Sequence, residues 1–447
     1  MLRLEQLIAI LGATPSQPLT GVVAGITTDS RQVQAGEVFV ALPGERWDGH
    51  EFIPQALAQG AVAAIVHKQE LFSPEMPLLL VPDTLTAYQT LATWWRRRFT
   101  IPVIAVTGSA GKTTTKELIA AVLSTQGRVL KTAANENNDI GVPKTLLQLS
   151  RAYNYVVLEM GMRGRGEIAR LAQIAQPNVG VITTVGTAHI GRLGSREAIA
   201  QAKCELFAHL DPQGTAIYWR ENELLHHTAR AVWEGATCTY GWHQGHMQAQ
   251  VTESELIVGA WRAPLPLPGA HNALNFLAAL VVAQTLGVPW PTQPLSLDVP
   301  AGRSRWWQTA PDILLLDETY NASPEAVCAT LHTLKQTPGQ RHIAVLGAMR
   351  ELGEHSADLH TQVGRLINEL HYDYLILLDD PEIYPLATAA KPVPTEILPD
   401  REAIIRHLQT YLQPGDRLLV KASHSLGLEQ VVQALTQSQQ GLPEGSS

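Results

Sequence analysis

IPVIAVTGSAGKTTTKELIAAVLSTQG, residues 101–127, passes from an apolar run through a glycine-bearing loop into a run of good helix formers. That order predicts a buried strand, a tight turn and a helix, with Gly127 as the C-terminal cap. Within it, Val106-Thr107-Gly108-Ser109-Ala110-Gly111-Lys112-Thr113-Thr114 has the make-up of a phosphate cradle. Glycines let backbone N–H groups turn inward around phosphate oxygens, and the helix N-terminus adds positive potential. Lys112 suits the β and γ phosphates and the Thr113 hydroxyl suits Mg²⁺. Gly108, Ser109, Ala110, Gly111, Lys112, Thr113 and Thr114 are therefore expected to hold a nucleoside triphosphate. The loop departs from GxxxxGK[ST] at residue 106, which is Val instead of Gly. No GxGxxG follows an apolar run, which disfavours a dinucleotide and hydride chemistry.

Outward from this stretch, strand and helix patterns keep alternating: YVVLEMG before GEIARLAQIA, then VGVITTVG before SREAIAQAKCELFAHL. Such alternation predicts a parallel sheet. Upstream, VFVAL (38–42) and AVAAIV (61–66) alternate with helical patterns that end in TLTAYQTLATWWRRRF, and Pro102 then breaks the helix. Downstream, DILLLDETY (312–320), HIAVLGA, YLILLDD and RLLVKAS read as buried strands. The expected class is α/β in three domains, residues 1–98, 99–308 and 309–447, and 447 residues suit that number. The polar end LTQSQQGLPEGSS is expected to fray.

Hydrophobic residues at 45% and charged residues at 17% exclude a disordered or fibrous chain. Thirty-three Lys plus Arg against 41 Asp plus Glu, a net charge of −8, lack the basic excess of a nucleic-acid or anionic-membrane binder. WWRRRF (94–99) accordingly reads as a helix end over a domain junction with a solvated Arg run. Cys204, Cys238 and Cys328 have neither disulfide nor metal spacing. MLRLEQLIAI reads as an amphipathic helix instead of a signal peptide, and no apolar stretch reaches about 20 residues. A cytoplasmic monomer without membrane insertion or nucleic-acid partner is expected.

Ligands gather at the carboxyl ends of strands in doubly wound sheets. Glu159 and His189 stand where the next two strands are expected to stop, and could join Thr113 in holding one or two Mg²⁺ ions. A lone histidine is as readily packed as ligating, so spacing leaves His189 open. Lys203 reads as a solvated helix lysine, and Arg303 in PAGRSR as a surface turn or a phosphate-facing guanidinium.

The ordered segments TDSRQVQAGEVFVALPGERWDGHEFIPQALAQGA, VTGSAGKTTTKE, TAANENNDIGVPKTLL, LEMGMRGRGEI, GTAHIGRLGS, AKCELF, GAHNALN, LDETYNASPEA, LGAMRELG and VKASHS resemble the Mur ligases of peptidoglycan synthesis, over almost the whole chain. The resemblance implies a central P-loop ATPase-like domain flanked by a small UDP-binding domain and a Rossmann-like C-terminal domain. It implies a dipeptide-adding activity: D-Ala-D-Ala is joined to UDP-N-acetylmuramoyl-tripeptide, and ATP is cleaved to ADP and phosphate through an acyl phosphate. It further implies that Lys112, Glu159, His189 and Lys203 are catalytic, that Thr113 and Glu159 bind Mg²⁺, and that His189 joins a second Mg²⁺. Lys203 matches the lysine that the family carbamylates with CO₂, and would then serve the metal as an anion. His271, Asn272 and Asn275 match the adenine side, while Arg303 and Asp317 match positions that approach the nucleotide on domain closure. Ser30, Arg31 and the loop Gly44 to His50, with Asp48, would hold UDP. Asn135, Asn137 and Asn138 would line the sugar–peptide channel, and Tyr320 and Asn321 would face the dipeptide.

Two positions depart from the family pattern: Glu318 stands where a second aspartate is usual, and Ala348 where LGDMxELG has Asp. The rivals are the diamino-acid-adding Mur ligase, folylpolyglutamate synthetase and a P-loop ATP switch that makes no bond. The first is disfavoured by the missing Asp-Asn-Pro-Arg segment, the second by the N-terminal domain type.

Overall fold

The computed structural model describes residues 2–44, 46–71 and 73–437. Three α/β units follow one another along the chain. The central sheet has seven strands, in the order Met247–Gln248, Ala236–Gly241, Thr215–Trp219, Val179–Ile182, Val103–Thr107, Tyr155–Glu159 and Val129–Lys131, every neighbouring pair parallel. Its inner strands are continuous apolar runs because both faces are covered. Ile104 and Val106 pack under the helices Lys112–Ser124 and Ala270–Thr285, whereas Val103 and Ala105 face Glu167–Ala175 and Arg196–Ala208.

The N-terminal sheet runs Thr14–Pro15, Leu78–Leu80, Ala63–Val66, Glu37–Val40, Gly25–Thr27, parallel except for its first, edge strand. The C-terminal sheet runs Arg305–Ala310, Ile313–Asp317, Asp416–Lys421, Arg341–Leu346, Tyr374–Leu378, Thr395–Leu398, antiparallel only in its first pair. The expected division at residue 308 therefore falls inside a strand, Arg305–Ala310, whose pairing belongs to the C-terminal sheet.

The run WWRRRF does cap a junction. Arg96, however, is buried rather than solvated and donates to the carbonyls of Phe99 (2.7 Å), Ala175 (3.0 Å) and Gln176 (3.3 Å) and to Asn178 Oδ1 (3.3 Å), while Trp95 Nε1 reaches the Leu149 carbonyl at 3.0 Å. Gly127 is not the cap of the helix after the loop, which ends at Ser124. It is small for another reason: a Cβ there would lie 2.7 Å from Asn154 Oδ1. The sequence reading also passed over a three-stranded antiparallel sheet, Gln250–Val251, Glu255–Val258, Trp261–Pro264. In the polar end, residues up to 437 continue the helix Glu429–Gln437, and the rest lie outside the described residues. No described helix is long and apolar enough to cross a membrane.

Candidate active site

Val103–Thr107 lies between Tyr155–Glu159 and Val179–Ile182, so the loop that follows it opens at the carboxyl ends of three adjacent parallel strands. This is the position at which doubly wound sheets bind ligands. Two glycines are obligatory there. Gly108 has φ +154°, and a Cβ would lie 1.9 Å from Thr183 Oγ1; Gly111 has φ +79°, and a Cβ would lie 2.6 Å from Asn275 Oδ1. The loop is braced by the neighbouring strand's extension. Ser109 N donates to the Thr184 carbonyl (2.8 Å), Gly186 N to Ser109 Oγ (2.9 Å), and Thr183 Oγ1 to the Ala110 carbonyl (2.5 Å). Gly111 opens the helix Lys112–Ser124, whose first N–H groups stand at the cradle with Thr113 and Thr114 in its first turn. Lys112 Nζ folds back on the Gly108 carbonyl at 2.9 Å. Burial lowers the pKa of this ammonium, Glu159 pulls it upward and Arg303 pushes it down again.

Glu159, the last residue of its strand, is buried and bound on every side. Thr113 Oγ1 donates to Oε2 and Asn137 Nδ2 to Oε1, each at 2.7 Å, and the Glu159 N–H donates to Thr132 Oγ1 at 3.0 Å. A carboxylate with a threonine hydroxyl at its side is a hard-oxygen set suited to Mg²⁺. Asn137 therefore stands at the carboxylate. Asn138 Oδ1 accepts from Ile140 N (3.1 Å) and Gly141 N (2.9 Å), and the Asn135 carbonyl from Asn137 N (2.8 Å), which shapes the loop that delivers Asn137.

His189 does not sit at a strand end: its strand stops at Ile182, and His189 precedes the short helix Ile190–Leu193 with φ +68°. Burial lowers the pKa of its imidazole, and the charges of Lys112 and Lys203 push the same way. Lys203 is not the solvated helix lysine that its sequence suggests. It is 1% exposed within Arg196–Ala208, and among the described residues it donates no hydrogen bond. Burial, reinforced by Lys112, holds its amine well below the ordinary lysine range. No group of three His, Cys, Asp or Glu side chains that could hold a metal occurs among the described residues. Neither Glu159 nor His189 therefore belongs to such a group.

On the other side of the loop, Thr115 Oγ1 donates to Asn275 Oδ1 at 3.1 Å, and Asn272 Nδ2 to the Pro268 carbonyl (2.8 Å) and Ser304 Oγ (3.2 Å). Ser304 N and Oγ donate to Glu318 Oε1 at 3.0 and 2.9 Å, and Lys421 Nζ donates to Glu318 Oε2 at 3.2 Å and to the Asn321 carbonyl at 3.0 Å. The chain Asn272–Ser304–Glu318–Lys421 links the middle and C-terminal units.

Residues 106–283 match the Mur ligase middle domain, 302–424 the Mur ligase glutamate ligase domain and 22–125 the Mur ligase family catalytic domain. The chain belongs to the Mur ligase family. This Mur ligase is 52% identical over 417 residues to the UDP-N-acetylmuramoyl-tripeptide–D-alanyl-D-alanine ligase of Synechocystis sp., covering 92% of each chain. Its fold superposes on a crystal structure of MurF from Acinetobacter baumannii with TM-score 0.87 at 31% identity, covering 97% of this chain and 98% of that one. The MurF ligase from Thermotoga maritima in complex with ADP gives TM-score 0.83 at 31% identity, covering 93% and 98%.

In this Mur ligase the two departures have structural reasons. Glu318 is buried but ionised: burial pushes its pKa up, and Lys421, His271 and the Ser304 hydrogen bond outweigh that and leave it below the ordinary value. Its stabilisation is therefore present above the unfolded carboxyl's pKa of about 4.3 and is lost as pH falls through the lowered folded value. Lys421→Met, which strands the carboxylate without a counter-charge, is expected to cost about 3 kcal/mol at pH 7. Denaturant melting checks this, and an unchanged midpoint would contradict it. Ala348 is fully buried, and its side chain offers no ligand atom.

Other expected site residues are partly occupied by local partners. Asp317 Oδ1 accepts from Thr319 N (3.1 Å) and Oγ1 (2.7 Å). Arg303 lies over the Tyr320 ring at 3.9 Å, and Tyr320 stacks on His424 with centroids 5.6 Å apart, a cluster in which His424 was not foreseen although VKASHS contains it. Burial lowers the pKa of His271, against the pull of Glu318. In the N-terminal unit, Arg31 is exposed and paired with Asp29 (2.8 and 2.9 Å), and Ser30 Oγ donates to Gln55 Oε1 at 3.2 Å. Asp48 and His50 engage each other (Nδ1 to Oδ1, 2.6 Å), with Lys68 on the second Asp48 oxygen at 2.7 Å, and Gly44 N donates to the Trp47 carbonyl at 3.0 Å. The Asp48 and His50 side chains thus brace this loop, as Asp29 holds Arg31.

Proposed function

We propose that this Mur ligase joins D-Ala-D-Ala to UDP-N-acetylmuramoyl-tripeptide, with cleavage of ATP to ADP and phosphate. The observation that carries the reading is the pairing of the phosphate loop, through Thr113, with Glu159 on the adjacent strand end, in a chain 52% identical to a ligase of that name. The acceptor carboxylate is a poor electrophile. Its oxygen attacks the γ-phosphorus and ADP leaves; the dipeptide amine then attacks the acyl carbon, phosphate departs and the amine gives up a proton. The chemistry asks the protein for alignment and for neutralisation of crowded negative charge.

Lys112 and the amides of Gly108 to Thr114 hold the phosphates, His271, Asn272 and Asn275 the adenine side, and Arg303 and Asp317 approach from the C-terminal unit. Thr113, Glu159, His189 and Lys203 are the residues that hold one or two Mg²⁺ ions. Mg²⁺, when bound, neutralises charge on the phosphate oxygens. Lys203 suits carbamylation: an amine whose charged form burial disfavours adds to CO₂, loses a proton and becomes an anionic oxygen donor in place of a repelling ammonium. Ser30, Arg31, Gly44, Asp48 and His50 serve the UDP end, Asn135, Asn137 and Asn138 the muramoyl peptide, and Tyr320 and Asn321 the dipeptide. The three units divide the work accordingly, in the cytoplasm and as a monomer.

The test is direct. The protein is incubated with ATP, Mg²⁺, UDP-muramoyl-tripeptides ending in lysine or in diaminopimelate, and D-Ala-D-Ala, and the nucleotide product is weighed. One phosphate per added dipeptide, and none when either acceptor or dipeptide is withheld, is the expected result. Addition of a single diamino acid to a shorter precursor, or phosphate release without a product, would overturn it.

A further inference from the structure

His189 is held by a residue of the C-terminal unit that no expectation had singled out. Its Nδ1 lies 2.5 Å from Glu351 Oε2, and Glu351 Oε1 takes Arg192 Nε at 3.0 Å. The backbones meet as well: Gly191 N donates to the Glu351 carbonyl at 3.0 Å. Neither Gly191 nor Gly353 has room for a side chain, since a Cβ on Gly191 would lie 2.5 Å from Gly353 N and one on Gly353 would lie 2.8 Å from Gly191 Cα. Both partners of the pair are non-glycine residues in the left-handed region, His189 at φ +68° and Glu351 at φ +65°. Such conformations persist only where the surroundings impose them, and they concentrate at functional sites.

We propose that Glu351 is a positioning residue for His189, fixing the imidazole so that it can serve the divalent cation only when the C-terminal unit is docked. The inference rests on the reading of His189 as a metal ligand. A carboxylate that accepts from Nδ1–H fixes the tautomer, leaves Nε2 as the free lone pair and raises its basicity; ligating histidines commonly have such a partner, and its loss typically weakens metal binding about 10- to 100-fold. The carboxylate here comes from a residue 162 positions downstream, so cation affinity and docking of the two units become linked.

The test uses Mn²⁺ as the probe, titrated into the full-length protein with saturating ADP and followed by the loss of free-ion electron paramagnetic resonance signal. Glu351→Ala is expected to weaken the site that His189→Ala also weakens, by about 10- to 100-fold. Glu351→Gln, which keeps an acceptor for Nδ1–H, is expected to lose less than Glu351→Ala. Arg192→Ala, which removes an ion pair of the same interface but leaves the carboxylate on Nδ1, is expected to lose much less Mn²⁺ affinity than Glu351→Ala. Thermal melting of each variant reports folding. If His189→Ala weakens Mn²⁺ binding and a folded Glu351→Ala does not, the positioning role is refuted while the ligand reading stands. Equal losses in Arg192→Ala and Glu351→Ala would refute it too, showing that docking alone matters. If His189→Ala has no effect, the ligand reading itself fails, and this inference with it.

Discussion

Lys112→Ala is expected to lower kcat/KM for ligation by at least about 10³-fold, roughly 4 kcal/mol of lost transition-state stabilisation. The lysine is the only ammonium that the strand-loop-helix geometry aims back into the cradle among the described residues, with its Nζ 2.9 Å from the Gly108 carbonyl. Phosphoryl transfer leaves little covalent work to the protein, so deleting the charge proposed to face the β and γ phosphates should remove much of what it contributes. The fold should survive. Burial disfavours this ammonium, so its removal relieves one cost while it forfeits one hydrogen bond, and the melting temperature should move by no more than about 3 °C. Steady-state phosphate release and a thermal melt read both quantities. Turnover within tenfold of the unmodified protein would remove Lys112 from the site.

Lys203→Met should separate function from stability more sharply. Activity is expected to fall by about 10²- to 10³-fold, because the vacated place no longer carries an anion for the cation. In Lys203→Ala, added formate or acetate should restore at least about a tenth of the lost rate by occupying that place. Stability should move the other way. Burial lowers the pKa of Lys203, so the folded state binds fewer protons there than the unfolded one, and this lysine opposes folding below its unfolded pKa of about 10.4. The cost is full below the lowered folded pKa and shrinks as pH rises from there toward about 10. In CO₂-depleted buffer, Lys203→Met should therefore melt no lower than the unmodified protein at pH 7, and its margin should close as pH approaches about 10. A large loss of stability at pH 7, or indifference of activity, would contradict this account.

The central strand, the loop and its helix were legible because each is local: an apolar run, glycines at positions with positive φ, and good helix formers. Glu159 was legible as the residue on which an apolar strand stops. Lys203 was not, because its helix carries Arg196, Glu197 and Glu205 around it, and nothing local says which polar side chain turns inward. The pairs that join the units were equally hidden. Lys421 meets Glu318 across 103 positions, and Glu351 meets His189 across 162, so neither leaves a periodic trace in the sequence. Asp48 and His50 were legible as polar loop residues two positions apart, but not their engagement with each other and with Lys68. The boundary at residue 308 fell inside a strand, RWWQTA, which lacks the continuous apolar run of the inner strands.

The central claim is that an acceptor carboxylate attacks the γ-phosphorus of a triphosphate held by residues 108–114. Acceptor labelled with ¹⁸O in that carboxylate tests it most directly, with the released phosphate analysed by mass spectrometry. The account predicts that one labelled oxygen passes into inorganic phosphate for each dipeptide joined. Unlabelled phosphate, or label appearing in AMP, would contradict it.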